Sequence, residues 1–344
     1  MVRPTQSRRA AVAHDLPPTS SDGEHREAVG PWHWLLGAFG ARIGASVLRP
    51  LPVLSSFLKW PAAILASTLI ALAGVAGPAA HAEDANISSR RDAERTSFSN
   101  DEIVGGFFKI AFRAELQLGA RAERIRKFDE PVRVFVFDQG THKRKAEIAA
   151  VIADIRAHVH HLDLAMTNDL QAANFVVMLV RKQDLRRTIR SVYGRDRTGQ
   201  IERSLNPQCL SGFGKDERYR IRHAEVILPA DADDFVFFDC AYEEMLQALG
   251  PINDDRSVPW TMFNDDVQMG FFDVYDQYLL NILYDPRIRP GMTKEEAGRL
   301  LPEILTTVRE RVARGARARD SSETNFSVQC NCPAPIQDSP TIPE

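Results

Sequence analysis

The sequence predicts an α+β fold, a small mixed β-sheet with a central helix that carries a polar site. Three observations lead there. VRVFVF at 132–137 and NFVVMLV at 174–180 are apolar, β-branched runs of strand length. Between them, Ile148, Ile152, Ile155, Val159 and Leu162 recur at helical spacing over 143–162. The stretch 231–249 opens on aspartates, stops at Gly250-Pro251 and reads as a third kind of element, a helix carrying both aromatic and acidic residues.

The remaining elements follow in order. Residues 83–96 are polar and read as a linker. Ser99-Asn100-Asp101-Glu102 is a helix start, followed by apolar residues through Phe108 and Phe112. Asp184 to Tyr193 reads as a short, basic, exposed helix. Residues 194–217, rich in Gly, Arg and Asp, read as a long loop carrying Cys209. Ile221 to Leu228 alternates like an edge strand. In the 231–249 helix, Phe235, Phe238, Tyr242, Met245 and Leu249 form the core stripe, while Glu243 and Gln247 share another face. A helix through Tyr275, Leu279, Leu280 and Leu283, a turn at 283–293 and a last helix near 294–313 complete a single domain at 97–315. Residues 316–344 read as a disordered tail.

The chain has 344 residues and a net charge of −3 with 44% hydrophobic residues, a globular composition without the basic surplus of a nucleic-acid binder. Residues 1–60 are polar at first, then mix Trp32, Trp34 and Phe39 with few charges, and read as a disordered extension. Residues 61–80, PAAILASTLIALAGVAGPAA, hold no charge. Lys59 precedes them and Ala80-His81-Ala82 follows. This is the layout of a signal peptide cut after Ala82, or of a signal anchor touching the membrane through 61–80 if uncut. Cutting there removes more Lys and Arg than Asp and Glu, so the part that follows is more acidic than the whole chain. The expected place is therefore exported, periplasmic or secreted.

Cys209, Cys240, Cys330 and Cys332 all follow the apolar run, in a compartment that permits pairing. Cys209 with Cys240 is the expected bridge. The pairing of Cys330 and Cys332 stays open. No C-x-x-C pair suggests zinc. Cys240 with His223 would make a nucleophilic pair only if Cys240 were free.

The run Glu243 to Gly250, EEMLQALG, with Asn253 after it, has the spacing of the metzincin signature H-E-x-x-H-x-x-G-x-x-H. Glu244 stands at the general-base position and Gly250 at the turn. Glu243, Gln247 and Asn253 stand at the three ligand positions, and Met292 could match the methionine turn. None of the three is histidine. Amide and carboxylate oxygens suit hard cations better than zinc. Together with Asn253-Asp254, Phe263-Asn264-Asp265 and LYDPRIRPGM at 283–292, the run resembles domain-of-unknown-function family 2927, exported bacterial proteins, over about 97–313. The resemblance implies no settled activity, and the zincin-like scaffold is read from the spacing of Glu243 to Asn253 alone.

The other clusters have ordinary readings. Asp265, Asp266, Asp273 and Asp276 suit capping and loop hydrogen bonds, and their spacing is not that of an EF-hand. His158, His160 and His161 end a helix, where the dipole favours them. Gly212-Phe213-Gly214-Lys215 lacks phosphate-loop spacing. The sequence therefore supports an exported cell-envelope protein with a non-catalytic binding or structural role, its cleft made by Glu243, Gln247, Asn253 and Asp254. Its expected partner is a peptide or envelope protein, with no nucleic acid. No cofactor and no metal site are expected, zinc or an oxygen-bound cation being the weaker alternative. The alternative function is an atypical metallopeptidase with Glu244 as general base.

Overall fold

The computed structural model describes residues 8–15, 84–113, 116–117, 123–139, 142–205 and 207–330. The apolar run 61–80 and the cut site after Ala82 lie outside the described residues, as does Cys332. The strands are β1 (Arg8–Asp15), β2 (Leu116–Gln117), β3 (Val132–Asp138), β4 (Leu164–Met166), β5 (Phe175–Val180), β6 (Pro207–Lys215) and β7 (Ile221–Pro229). The helices are α1 (Ala85–Asp92), α2 (Asn100–Ile110), α3 (Lys145–His158), α4 (Leu185–Ser204), α5 (Asp234–Gln247), α6 (Val274–Leu283) and α7 (Lys294–Cys330).

The strands form one sheet in the order β2-β1-β6-β7-β5-β3-β4. Neighbours are parallel except β6 and β7. Topology explains the exception. A hairpin closed by Asp216, whose carboxylate accepts from the backbone N–H of Arg218 and Arg220, links β6 to β7. Parallel neighbours need crossovers, and α3 supplies the one between β3 and β4. β5 is buried at all six positions because helices cover both faces. The larger core joins the sheet to α2, α3, α5, α6 and α7. The smaller lies on the opposite face, where Leu185, Ile189, Tyr193 and Ile201 of α4 meet Val176, Met178 and Ile227.

The fold is α+β with a mixed sheet, as read, but the sheet is not small, with seven strands among the described residues. Five segments also differ from the sequence reading. The polar stretch 83–96 contains α1, capped by Asp84, with Arg90 and Arg91 stacked on the rings of Phe235 and Phe271. The supposed loop 194–217 is the second half of α4 plus β6. Gly194, at φ 78°, kinks the helix without ending it. Gly212, which reads as a turn signal, is a strand glycine, because a Cβ there would stand 2.1 Å from the Tyr193 hydroxyl. β7 is an interior strand. His223 and Glu225 imitate the polar face of an edge strand, but Tyr193 of α4 covers Glu225. Finally, α7 continues past Gly315 to Cys330 through a run free of proline, and residues 8–15 of the N-terminal extension form a strand.

The capping box at Ser99 is present: its hydroxyl accepts from the Glu102 N–H, and the Glu102 carboxylate accepts from the Ser99 N–H. The Cys209–Cys240 bridge is also present, with Cα atoms 6.1 Å apart, and joins β6 to α5. Both sulfurs are inaccessible. The loop they close spans 31 positions, so Cys240→Ser should lower unfolding free energy by on the order of 3 kcal/mol, measured by denaturant titration. Free thiols at both positions in the folded, air-oxidised protein would contradict the bridge.

Candidate functional site

Helix α5 starts at Asp233, whose side chain accepts from the Val236 N–H. From Asp239 to Gln247 every residue is buried. The core stripe is broader than the sequence reading. Phe237 is fully enclosed, while Phe235 and Phe238 are only partly so. Glu243, Glu244 and Gln247 are at 0% exposure, which for ionisable and amide groups demands internal partners.

Gln247 provides the junction. Its amide N–H donates to Asp254 Oδ1 at 2.7 Å and, longer, to Glu243 Oε1 at 3.5 Å. Its carbonyl oxygen accepts from the Ser211 hydroxyl of β6 at 3.3 Å. The neutral amide thus sits between two carboxylates and anchors helix, loop and sheet together. Gly250 makes the return possible. It adopts φ 135°, and a Cβ there would lie 2.3 Å from the Arg126 carbonyl oxygen. The chain then passes Asn253, which points away from this cluster. Its side-chain amide donates to the carbonyls of Lys109 and Asp254, tying the loop to the C-terminus of α2.

So the structure brings together Glu243, Gln247 and Asp254, with Glu244 beside them on α5. It sends Asn253 elsewhere. Met292 lies in a separate turn, its sulfur accepting from the Arg289 N–H and its carbonyl from the Ile125 N–H. Among the described residues, no group of three or more His, Cys, Asp and Glu is placed to hold a metal ion. Cys240 is in a disulfide, which removes the Cys240–His223 pair. His223 lies 3.9 Å from Glu225 instead.

The motif loops downstream are held by buried polar groups. Lys127 donates to the carbonyls of Leu283 and Ile288 at 2.7 and 2.8 Å, and so staples the LYDPR turn. Nothing in the sequence marks this lysine. Asp276 accepts from the Thr261 hydroxyl and from the Met262 N–H, ordering the loop before Phe263-Asn264-Asp265. Asp273 caps α6 by accepting from the Asp276 N–H. Burial, and then the neighbouring carboxylate, pushes Asp273 well above the usual carboxylate range. Burial pushes Asp276 up to about 6. Asp265 and Asp266 face Arg256 at 3.6 and 3.7 Å. The acidic cluster therefore caps and braces loops. His158 sits against Asp154, and His161 against Arg311, so the histidines share no ligand.

Sequence reasoning also missed Tyr193 and Glu225. Their hydrogen bond of 2.6 Å is buried under α4, and burial with the Glu225 charge raises the tyrosine well above its ordinary range. A separate cavity of about 770 Å³ lies where α1, α3 and α5 meet, lined by Arg91, His142, Lys143, Glu147, Phe238 and Tyr242 among others. Glu243, Glu244 and Gln247 do not line it.

Comparison with protein families matches the family described as "Protein of unknown function (DUF2927)" over residues 100–303. No curated protein and no solved structure matches. The matched span runs from the start of α2 into α7 and contains every residue of the Gln247 junction.

Two outcomes follow from this geometry. Gln247→Glu puts a third carboxylate between two others in a buried site, so it should cost about 3 kcal/mol at neutral pH. The folded pKa of the new group would be raised, so the loss should vanish below pH ~4 and grow as pH rises, in melting curves against pH. The Asp273–Asp276 pair has the same sign. The folded chain holds a proton that the unfolded chain releases near pH ~4, so stability should fall as pH rises from there toward about 6. Asp273→Asn keeps the cap and should flatten that slope. An unchanged slope would contradict the pairing.

Proposed function

Starting from the fact that this chain belongs to the DUF2927 family, we propose that it is an exported cell-envelope protein whose domain has a binding or structural role and is not catalytic. The observation that carries the second part is the closure of the Gln247 junction. A catalytic carboxylate must reach substrate or its activated water, whereas Glu243, Glu244 and Gln247 are at 0% exposure. The donors that a metallopeptidase would turn toward a metal are otherwise engaged. Gln247 binds Asp254, Glu243 and Ser211, and Asn253 binds the end of α2. The zincin-like spacing is then read as a structural device, one helix followed by a sharp glycine turn.

Export rests on the sequence run 61–82 and is supported by the Cys209–Cys240 bridge, which suits an oxidising compartment. Among the described residues no helix is long and apolar enough to cross a membrane. On this reading the cut after Ala82 separates β1 from the domain.

Mass spectrometry of the envelope fraction should find a mature N-terminus near Glu83. Full-length chain confined to the cytoplasm would overturn export. For the chemistry, metal content and hydrolysis of casein should be compared between the chain and its Glu244→Gln variant. The expected result is no tightly held zinc and no hydrolysis from either. Stoichiometric zinc with hydrolysis abolished by Glu244→Gln would establish the peptidase instead.

A further inference from the structure

β1 precedes the apolar run and is far in sequence from the rest of the sheet, yet it lies inside it. It runs parallel to β6 from Arg8 opposite Pro207 to Asp15 opposite Lys215, and among the described residues its other edge pairs with the two residues of β2. Ala11 and Val12 are both fully buried, and they enter different cores. Ala11 joins the cluster that contains α5, and Val12 joins the one that contains α4. A strand buried on both faces fills a slot, here with helices as walls and β6 as its back.

The slot is fitted to a close-lying backbone. Gly212 is in register with Val12, and a Cβ there would stand 3.0 Å from the Val12 carbonyl oxygen. Ala11 is in register with Ser211, whose hydroxyl reaches Gln247. The slot therefore borders the polar junction of α5. Without its occupant, nine residues of β6 would present an unpaired edge, which proteins do not leave bare.

We infer that the edge of β6 is a binding groove for an extended polypeptide, entered parallel to β6 by a segment with a small residue followed by a branched aliphatic one at its centre. Arg8–Asp15 fills the groove in the intact chain. Main-chain hydrogen bonds supply the attachment, and the two side pockets supply selectivity.

The test uses the full chain and its Val12→Asp variant, with amide exchange followed over residues 208–214. A carboxylate in the α4-side core should expel the strand and speed exchange there by about tenfold or more, while β5 stays protected. Adding a synthetic peptide of residues 6–17 should restore protection, and the same peptide with Val12→Asp should not. Unchanged exchange in the variant would overturn the inference, as would lost protection that the peptide fails to restore. Should Val12→Asp prevent folding, the chain lacking residues 1–16 takes its place. A failure of that chain to fold would make β1 a constitutive strand and also overturn the inference. Neither failure bears on export, which is read from the mature N-terminus.

Discussion

The domain is organised around one constraint, a helix that buries carboxylates. From Asp239 to Gln247, α5 has no exposed side, and it carries Glu243 and Glu244 into the interior. Removing ionisable groups from water is costly unless hydrogen bonds replace the lost solvation. The partners must come from the elements around the helix, so those elements are placed with respect to it. Glu243 accepts from the Gln247 amide, which in turn accepts from Ser211 of the sheet and donates to Asp254 of the loop beyond Gly250. The Cys209–Cys240 bridge fixes the same helix to the same strand by a covalent route. Two independent ties at one interface make β6 and α5 a unit to which the loops are fastened.

Buried polar contacts do the fastening elsewhere too. Lys127 holds the LYDPR turn by its carbonyls, Asp276 orders the loop at Thr261 and Met262, and Asn281 of α6 bonds the end of α3 through His158 and His160. The short motifs that make this sequence resemble its family fall mainly on these fastened loops. Asn253, Asn264, Asp276 and Asp285 each bond a backbone group there.

Elements whose burial pattern is local were legible in the sequence. β3, β5, α3 and the capped start of α2 announce themselves by periodicity or by a cap. The disulfide was legible from the expected compartment and the positions of Cys209 and Cys240. What stayed hidden depends on distant contact. β6 contains two glycines and reads as loop until Tyr193 and Val12 are seen pressing on Gly212. β7 looks like an edge because Glu225 is polar, but a tyrosine from α4 satisfies it. α1 looks like linker because its arginines are charged, though their flat faces cover Phe235 and Phe271. At the site, helical spacing was enough to place Glu243 and Gln247 on one side of α5. The direction of Asn253 was not legible, since it depends on the carbonyl of Lys109, which is 144 positions away in sequence.

The zincin-like spacing and the buried junction are two descriptions of one helix and turn, and they differ in what Gln247 is for. As a ligand it would act alone toward a metal. As a junction it is energetically coupled to Asp254, its 2.7 Å partner. A double-mutant cycle with Gln247→Ala, Asp254→Ala and the pair, read by denaturant unfolding, measures that coupling. The account predicts a coupling energy of about 1–3 kcal/mol. Effects that add to within about 0.5 kcal/mol would contradict it.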